Sequence, residues 1–415
     1  MSNDPLKQQP NDGPSEPSLW NRLKSNDNKP KKYFDALADK YLKASHILYI
    51  ALAVCFLFTL IFNSKLLTYN NFTYLIKDLN SAASIASENY NSISYTNDEL
   101  RVVSDFRGGI ITASSTDMAI YNASGRKTLY LSENFVSPQI ASSKKYAIIY
   151  DLGGNNYSVY SSFARVHHGK LSHPISLIAV SDTGWFAIVS RDNDHTSVVY
   201  LYDDDFNLKN KYSFASKYVF GVSINERGNR IAILITEPSS SGDRFSTSVM
   251  LCKPGENDKI AEVELDSSIP YGLSFVDSGN LQILTANVLH VINETNGKYE
   301  NNYKFNSSTI LRFDINRFGC AVAFAANDGV INNNVLIFDK NGNLAYNTTE
   351  TNGILDLRLC NDYIFINQSN TITKINIKNG TRTQKNIFEK AFDIIVYNDN
   401  NILLCCQTKA KYVKI

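Results

Sequence analysis

Val180-Ser-Asp-Thr-Gly184-Trp-Phe-Ala-Ile188 sets a polar turn ending in glycine between two apolar runs, and the same pattern returns three times. It reads Ile224-Asn-Glu-Arg-Gly228-Asn-Arg-Ile-Ala232, then Phe275-Val-Asp-Ser-Gly279-Asn-Leu-Gln-Ile283, then Ile315-Asn-Arg-Phe-Gly319-Cys-Ala-Val-Ala323. Each glycine can supply the positive φ that a tight hairpin needs. The glycines stand 44, 51 and 40 residues apart, which is the period of a propeller blade. Versions without glycine recur at Ala141-Ser-Ser-Lys-Lys-Tyr146, Cys360-Asn-Asp-Tyr363 and Tyr397-Asn-Asp-Asn-Asn401.

A second turn signal falls later in each unit, as in Tyr121-Asn-Ala-Ser-Gly125, Ile292-Asn-Glu-Thr-Asn-Gly297, Phe338-Asp-Lys-Asn-Gly342 and Ile375-Asn-Ile-Lys-Asn-Gly380. Each unit therefore holds two hairpins and four short strands. The units parse at about 99–131, 134–172, 175–213, 218–265, 269–304, 309–348, 353–386 and 391–415. The last is one strand short, and Tyr90-Asn-Ser-Ile-Ser-Tyr-Thr-Asn97 can supply it. Such a closure joins the chain ends and removes exposed sheet edges. The expected fold is all-β, a propeller of eight four-stranded blades over 90–415, or of seven if the first and last units together make one blade. A polar insertion, Glu237-Pro-Ser-Ser-Ser-Gly-Asp-Arg-Phe-Ser246, lengthens one hairpin of the fourth unit and reads either as a solvated loop or as a partner contact.

Before the repeats the sequence changes character. Residues 1–43 hold half of the ten prolines among Asn, Ser, Lys and Asp, which reads as a disordered tail. Near its end Tyr33, Phe34, Leu37 and Leu42 alternate with Lys31, Lys32, Lys40 and Lys43, the pattern of a short amphipathic helix either resting on a membrane or simply solvated. From Ala44 to Ser64 there is no charged residue. That run is long enough to cross the ~30 Å hydrocarbon layer as a helix. A cleaved signal peptide is the competing reading, but the run is too long, begins too late and lacks a small-x-small cleavage site. Basic residues Arg22, Lys24, Lys29, Lys31, Lys32, Lys40 and Lys43 precede the run, and only Lys65 and Lys77 closely follow it. The positive-inside rule then puts the N-terminus in the cytoplasm and the large domain outside it. Over 65–89, Asn70 and Asn71 can cap a helix at 71–87 whose Phe72, Leu75, Ile76 and Leu79 follow helical spacing.

The balance of 41 Lys+Arg against 40 Asp+Glu argues against a nucleic-acid partner. The six cysteines show no disulfide framework and sit in apolar runs, as buried thiols do. Adjacent Cys405 and Cys406 should face opposite ways on a strand. Of the six histidines, His167, His168 and His173 are read in the loop between the second and third units, where Asp192, Asp194 and His195 could approach. No His-x-x-x-His or Cys-x-x-Cys spacing supports a metal there, and loop polarity is the simpler reading. Asp203-Asp-Asp205 lacks the spacing of a calcium loop and reads as a solvated turn. There is no Gly-x-Ser-x-Gly elbow, P-loop or Rossmann fingerprint. Trp185 is the only tryptophan outside the tail, which disfavours a quinone-dependent propeller. Eight Asn-x-Ser/Thr sequons, from Asn71 to Asn379, are what an Asn- and Ser-rich chain produces by chance. No catalytic, cofactor or metal residues are assigned.

Several stretches carry a resemblance: Phe72-Thr-Tyr-Leu-Ile-Lys-Asp-Leu-Asn-Ser-Ala-Ala-Ser84, Asp105-Phe-Arg-Gly-Gly109, Ser142-Ser-Lys-Lys-Tyr146, Tyr150-Asp-Leu-Gly-Gly154 and Tyr157-Ser-Val-Tyr160. Over about 45–415 the chain resembles a family of single-pass membrane proteins of Gram-positive bacteria whose domain has no assigned function. The resemblance implies a cytoplasmic N-terminus, an extracytoplasmic propeller and no known activity. The functional expectation is a membrane-tethered, non-catalytic binding or scaffold module with a protein or envelope-polymer partner. Its rivals are a hydrolase or lyase working from the propeller channel, and a sensor signalling to the tail.

Overall fold

The computed structural model describes residues 28–62, 92–95, 102–122, 124–238, 245–256, 258–306, 309–325 and 332–415. It divides into two compact units, Met1–Thr68 and Tyr69–Ile415. In the first, Asn28–Phe62 forms one helix. It starts well before the uncharged run because Lys, Leu and Ala favour helix, and Asp39 meets Lys43 one turn on at 3.9 Å. The short amphipathic helix expected near Tyr33–Leu42 is thus the first part of this longer one. Within it, Leu37–Phe58 is long and apolar enough to cross a membrane. The tail up to residue 27 and the helix expected at 71–87 lie outside the described residues.

The second unit consists of eight antiparallel four-stranded sheets. Seven are continuous in sequence, blades 1 to 7 at 102–132, 138–170, 177–214, 218–264, 270–304, 310–350 and 354–386. Blade 8 takes its inner three strands from 393–414 and its outer strand from Ile93–Ser94. Ile93 pairs with Ala410 and Ser94 with Lys409. The eight-blade parse and the closing strand expected from 90–97 both hold. Gly184, Gly228, Gly279 and Gly319 all have positive φ. At Gly319 a Cβ would also collide with the Phe338 carbonyl, so no other residue fits.

The second strand of each blade is covered on both faces by its neighbours, which is why these strands read as unbroken apolar runs. Gly109–Ala113, Ala147–Asp151, Phe186–Ser190 and Asn401–Cys405 are buried along their whole length. The core therefore lies between blades rather than at one centre. Ile93, Tyr95, Leu403 and Cys405 pack on Ile110, Ala119 and Tyr121 of blade 1. Cys406 instead packs with Val413 and Phe365 on the side of blade 7. The two adjacent cysteines thus face opposite ways, as alternation requires. Cys252, Cys320, Cys360, Cys405 and Cys406 are free thiols, all but Cys360 buried. The Tyr95 hydroxyl donates to the Cys406 carbonyl, and that of Tyr397 donates to the Gly109 carbonyl at 3.0 Å, joining blade 8 to blade 1.

Because Ile93 is fully buried and closes the ring, Ile93→Ala is expected to lower stability by about 2–5 kcal/mol. The measurement is the shift in denaturant midpoint of the full chain. An unchanged midpoint would show that the closing strand contributes nothing.

Candidate functional site

The innermost strand of a propeller blade has no strand beyond it, so its backbone N–H and C=O groups need other partners. In blades 6 to 8 polar side chains supply them from one blade to the next. Asp314 of blade 6 accepts from the Leu359 N–H at 2.7 Å and from Asn316 Nδ2 at 2.8 Å. Asn316 also donates to the Leu359 carbonyl at 2.9 Å. Asp356 of blade 7 accepts from the Ile394 N–H of blade 8 at 3.3 Å. Arg358 donates to Asp393 at 2.7 Å and to the Ile394 carbonyl at 3.3 Å, while its other arm meets Asp356 at 3.1 Å.

This wall borders a cavity of about 350 Å³, with Asp105, Asp314, Arg358, Cys360 and Asp393 around it. Asp105 is open to water in the cavity, yet protein encloses it on the other sides. Burial raises the pKa of Asp105 and Asp314 above the usual carboxylate range. Burial pushes Asp356 up to about 7; Arg358 opposes that rise and Asp393 adds to it. Burial also pushes the Cys360 thiol up to about 11, the reverse of what a nucleophilic cysteine needs. Acids that cap backbone groups and brace an arginine are chiefly the seam of blades 6, 7 and 8.

Strands alternate in direction, so the turns between first and second strands and between third and fourth share one face of the disc. That turn face is charged. Lys144 of blade 2 meets Asp182 of blade 3 at 2.6 Å and Glu226 of blade 4 at 3.7 Å. Glu226 also pairs with Arg317 of blade 6. Arg317 meets Asp277 of blade 5 at 3.1 Å, and Asp277 meets Lys340 at 3.1 Å. Such exposed pairs contribute about 0–1 kcal/mol each, so they shape the surface more than they stabilise it. A cavity of about 450 Å³ lies among Asn225, Glu226, Asp277, Glu294 and Arg317.

The opposite face, where the inner strands begin, also has ion pairs such as Lys217–Glu237 and Lys409–Glu389, but it adds a set of exposed apolar side chains. Val136, Ile269, Phe388 and Phe392 stand exposed in its loops, and Tyr218 and Phe245 at strand starts, with Val136 at 81% and Phe388 at 99% exposure. The inner strands of blades 4 to 7 share a further irregularity there. Val219 and Gly221 pair with successive residues Ile235 and Leu234, leaving Phe220 as an extra residue. Tyr271, Leu311 and Leu355 are skipped in the same way in blades 5, 6 and 7. Each is a β-bulge, a device that re-aims a side chain. Phe220 is 46% and Leu311 37% exposed. Gly221 follows the first bulge because a Cβ there would press on Leu273 of blade 5.

The histidines do not converge. His167 and His168 lie in the outer strand Arg165–Lys170 of blade 2 rather than in a loop; the polar sequence of an outer strand, wetted on one side, reads like a loop. His167 stacks on Phe206 with centroids 4.6 Å apart, and His168 Nδ1 lies 3.0 Å from the Ser158 hydroxyl. His195 is held by Asp192 at 2.7 Å. Among the described residues no three His, Cys, Asp or Glu side chains are grouped to hold a metal. Asp203 is a turn residue but a buried one. Burial acts to raise its pKa, and bonds from Lys209 and from Asn207 outweigh that and hold it at about 2. The acids of the channel wall and the four bulges were missed from sequence. Their only signals are an acid between apolar residues, as in Phe313-Asp-Ile315, and the isolated strand glycines Gly221 and Gly272.

Residues 81–415 match the model of DUF5711, a family of unknown function. The chain belongs to that family. None of the curated proteins matches the sequence. The fold of this DUF5711 domain is shared by BamB from Moraxella catarrhalis, at 11% identity and a TM-score of 0.51 over 79% of this chain and 99% of that one. It is shared by the WD40 domain of SCAP from fission yeast, at 9% identity and a TM-score of 0.53 over 79% and 98%. The computationally designed Ika8 protein matches at 12% identity and a TM-score of 0.57 over 78% and 98%. At such identities the likeness is one of fold.

The raised pKa of Asp356 has a consequence for stability. The folded chain keeps a proton there that the unfolded chain releases between the usual 3.8 and about 7. Its contribution is therefore fully present below the unfolded value and is lost as pH rises through about 7. Asp356→Asn is expected to lessen the fall in melting temperature between about pH 4 and 8. A slope equal to the wild type's would contradict this.

Proposed function

We propose that the protein is a membrane-anchored, non-catalytic binding or scaffold module whose propeller stands outside the cytoplasm of a Gram-positive bacterium. The observation that carries the reading is the group of exposed large apolar side chains, Val136, Ile269, Phe388 and Phe392 among them, on one face of a closed ring. Soluble surfaces seldom keep such patches unless they meet a partner. The helix Asn28–Phe62 serves as the single membrane span, and the lysines ahead of its apolar part set its direction. The partner is a protein or an envelope polymer.

A rival reading, a hydrolase or lyase acting from the channel, has one observation in its favour. Asp105, Asp314, Asp356 and Asp393 gather around Arg358 beside the cavity. Against it, Asp314, Asp356 and Asp393 are already engaged in linking blades.

Two measurements test the proposal. Protease treatment of intact cells should remove the propeller while a tag on the N-terminal tail survives; protection of the propeller would contradict the orientation. Crosslinking in cells followed by purification should recover an envelope partner. Failure to recover one, together with normal envelope behaviour of a deletion strain, would contradict the binding role.

A further inference from the structure

The four bulges fall at matching places in four successive inner strands, and in each the extra residue is large and apolar: Phe220, Tyr271, Leu311 and Leu355. The inner strands of blades 1, 2, 3 and 8 pair without a skip. Half of the ring is thus altered at its mouth and half is regular. A bulge interrupts the ladder and leaves one residue unpaired. Phe220 and Leu311 stand exposed, whereas Tyr271 packs edge-on against Phe313 and Leu355 is half-buried.

Arg312 directly follows the bulged Leu311 and is exposed. Its Nε donates to the Leu355 carbonyl at 2.8 Å and its Nη1 to the Leu311 carbonyl at 2.7 Å. The guanidinium is therefore fastened between the bulges of blades 6 and 7. Among the described residues no carboxylate lies within ion-pair distance of it, although Arg317, Arg358 and Arg382 each have one. A guanidinium has five N–H donors and suits a carboxylate held in its plane. The mouth accordingly offers apolar contact and one oriented positive charge.

Resting on the binding role proposed above, we infer that this mouth receives a segment of a partner protein that carries apolar side chains and an aspartate or glutamate, with the carboxylate seated on Arg312. Charge complementarity sets the acid, and the bulged side chains set the apolar contacts. Breadth favours a protein over a fatty acid, because exposed apolar groups also stand away from the mouth on the same face, at Ile269, Phe388 and Phe392. One acyl chain seated at the mouth would leave those uncovered.

The test pans a displayed library of random 16-residue peptides on the full chain held in lipid nanodiscs, then measures binding of the recovered peptides by fluorescence polarisation. The expected peptides join apolar residues to at least one Asp or Glu. The double variant Phe220→Ser/Leu311→Ser should weaken them at least tenfold. Arg312→Gln should weaken them several-fold, with the difference shrinking in high salt, and Arg312→Lys should restore part of the loss. Leu208→Ser/Leu344→Ser, an apolar loss at the starts of two outer strands on the turn face, should change nothing. Melting temperatures of the variants near wild type show that the fold is kept. Peptides that bind the double variant as well as wild type, or that lack acids and ignore Arg312→Gln, overturn the inference and leave the binding role standing. Oleate binding in place of any peptide overturns it in favour of a lipid ligand. Failure to recover either a peptide or a crosslinked partner removes both readings.

Discussion

Two residues of backbone hold this ring shut. Ile93 and Ser94 pair with Ala410 and Lys409, so the first strand of the propeller completes the last blade. Bringing those positions together closes a loop of about 300 residues, an entropic expense on the order of 5 kcal/mol. The pairing, the buried Ile93 side chain and the Tyr95 hydroxyl bond offset it locally. Blade 8 gains a fourth strand, and its two faces can then pack on blade 7 and blade 1. Without that strand the apolar layers at this seam would lose part of their cover, and the sheet would end in an open edge.

Closure turns a chain of repeats into a disc with two unlike faces. The turn face is a mesh of charges, with Glu226 reaching both Lys144 and Arg317. The other face carries exposed aliphatic and aromatic groups. The channel wall between them is polar in blades 6 to 8 because inner strand edges need capping, and Asp314, Asp356, Arg312 and Arg358 do this across successive blades. The same need accounts for carboxyl groups with raised pKa values at a place where an enzyme would also keep them. Bonding geometry separates the two explanations, since Asp314 and Asp356 already commit a carboxylate oxygen to a backbone N–H of the next blade.

Most of the fold was legible because turns announce themselves. Positive φ at Gly184, Gly228, Gly279 and Gly319 follows from steric rules that hold whatever the surroundings. The closing strand was legible by subtraction, since the last unit lacked one. The site was far less so. Tyr218–Ile224 is apolar throughout except for Ser223 and the glycine, so no alternation marks where its register slips. Only Gly221 and Gly272, single glycines inside strands, point to the bulges beside them. His167 and His168 looked like loop residues because outer strands face water and lose the apolar pattern. A channel acid such as Asp393 has nothing in its local sequence to show that Arg358 will face it from another blade.

Amide hydrogen exchange on the folded full chain tests the closure most directly. The account predicts that the amides of Ile93 and Tyr95, which point at the neighbouring strand, exchange as slowly as Asn401–Cys405, in one cooperative unit with blade 8. Exchange of those two amides at the rate of an exposed loop, with blade 8 still protected, would contradict it.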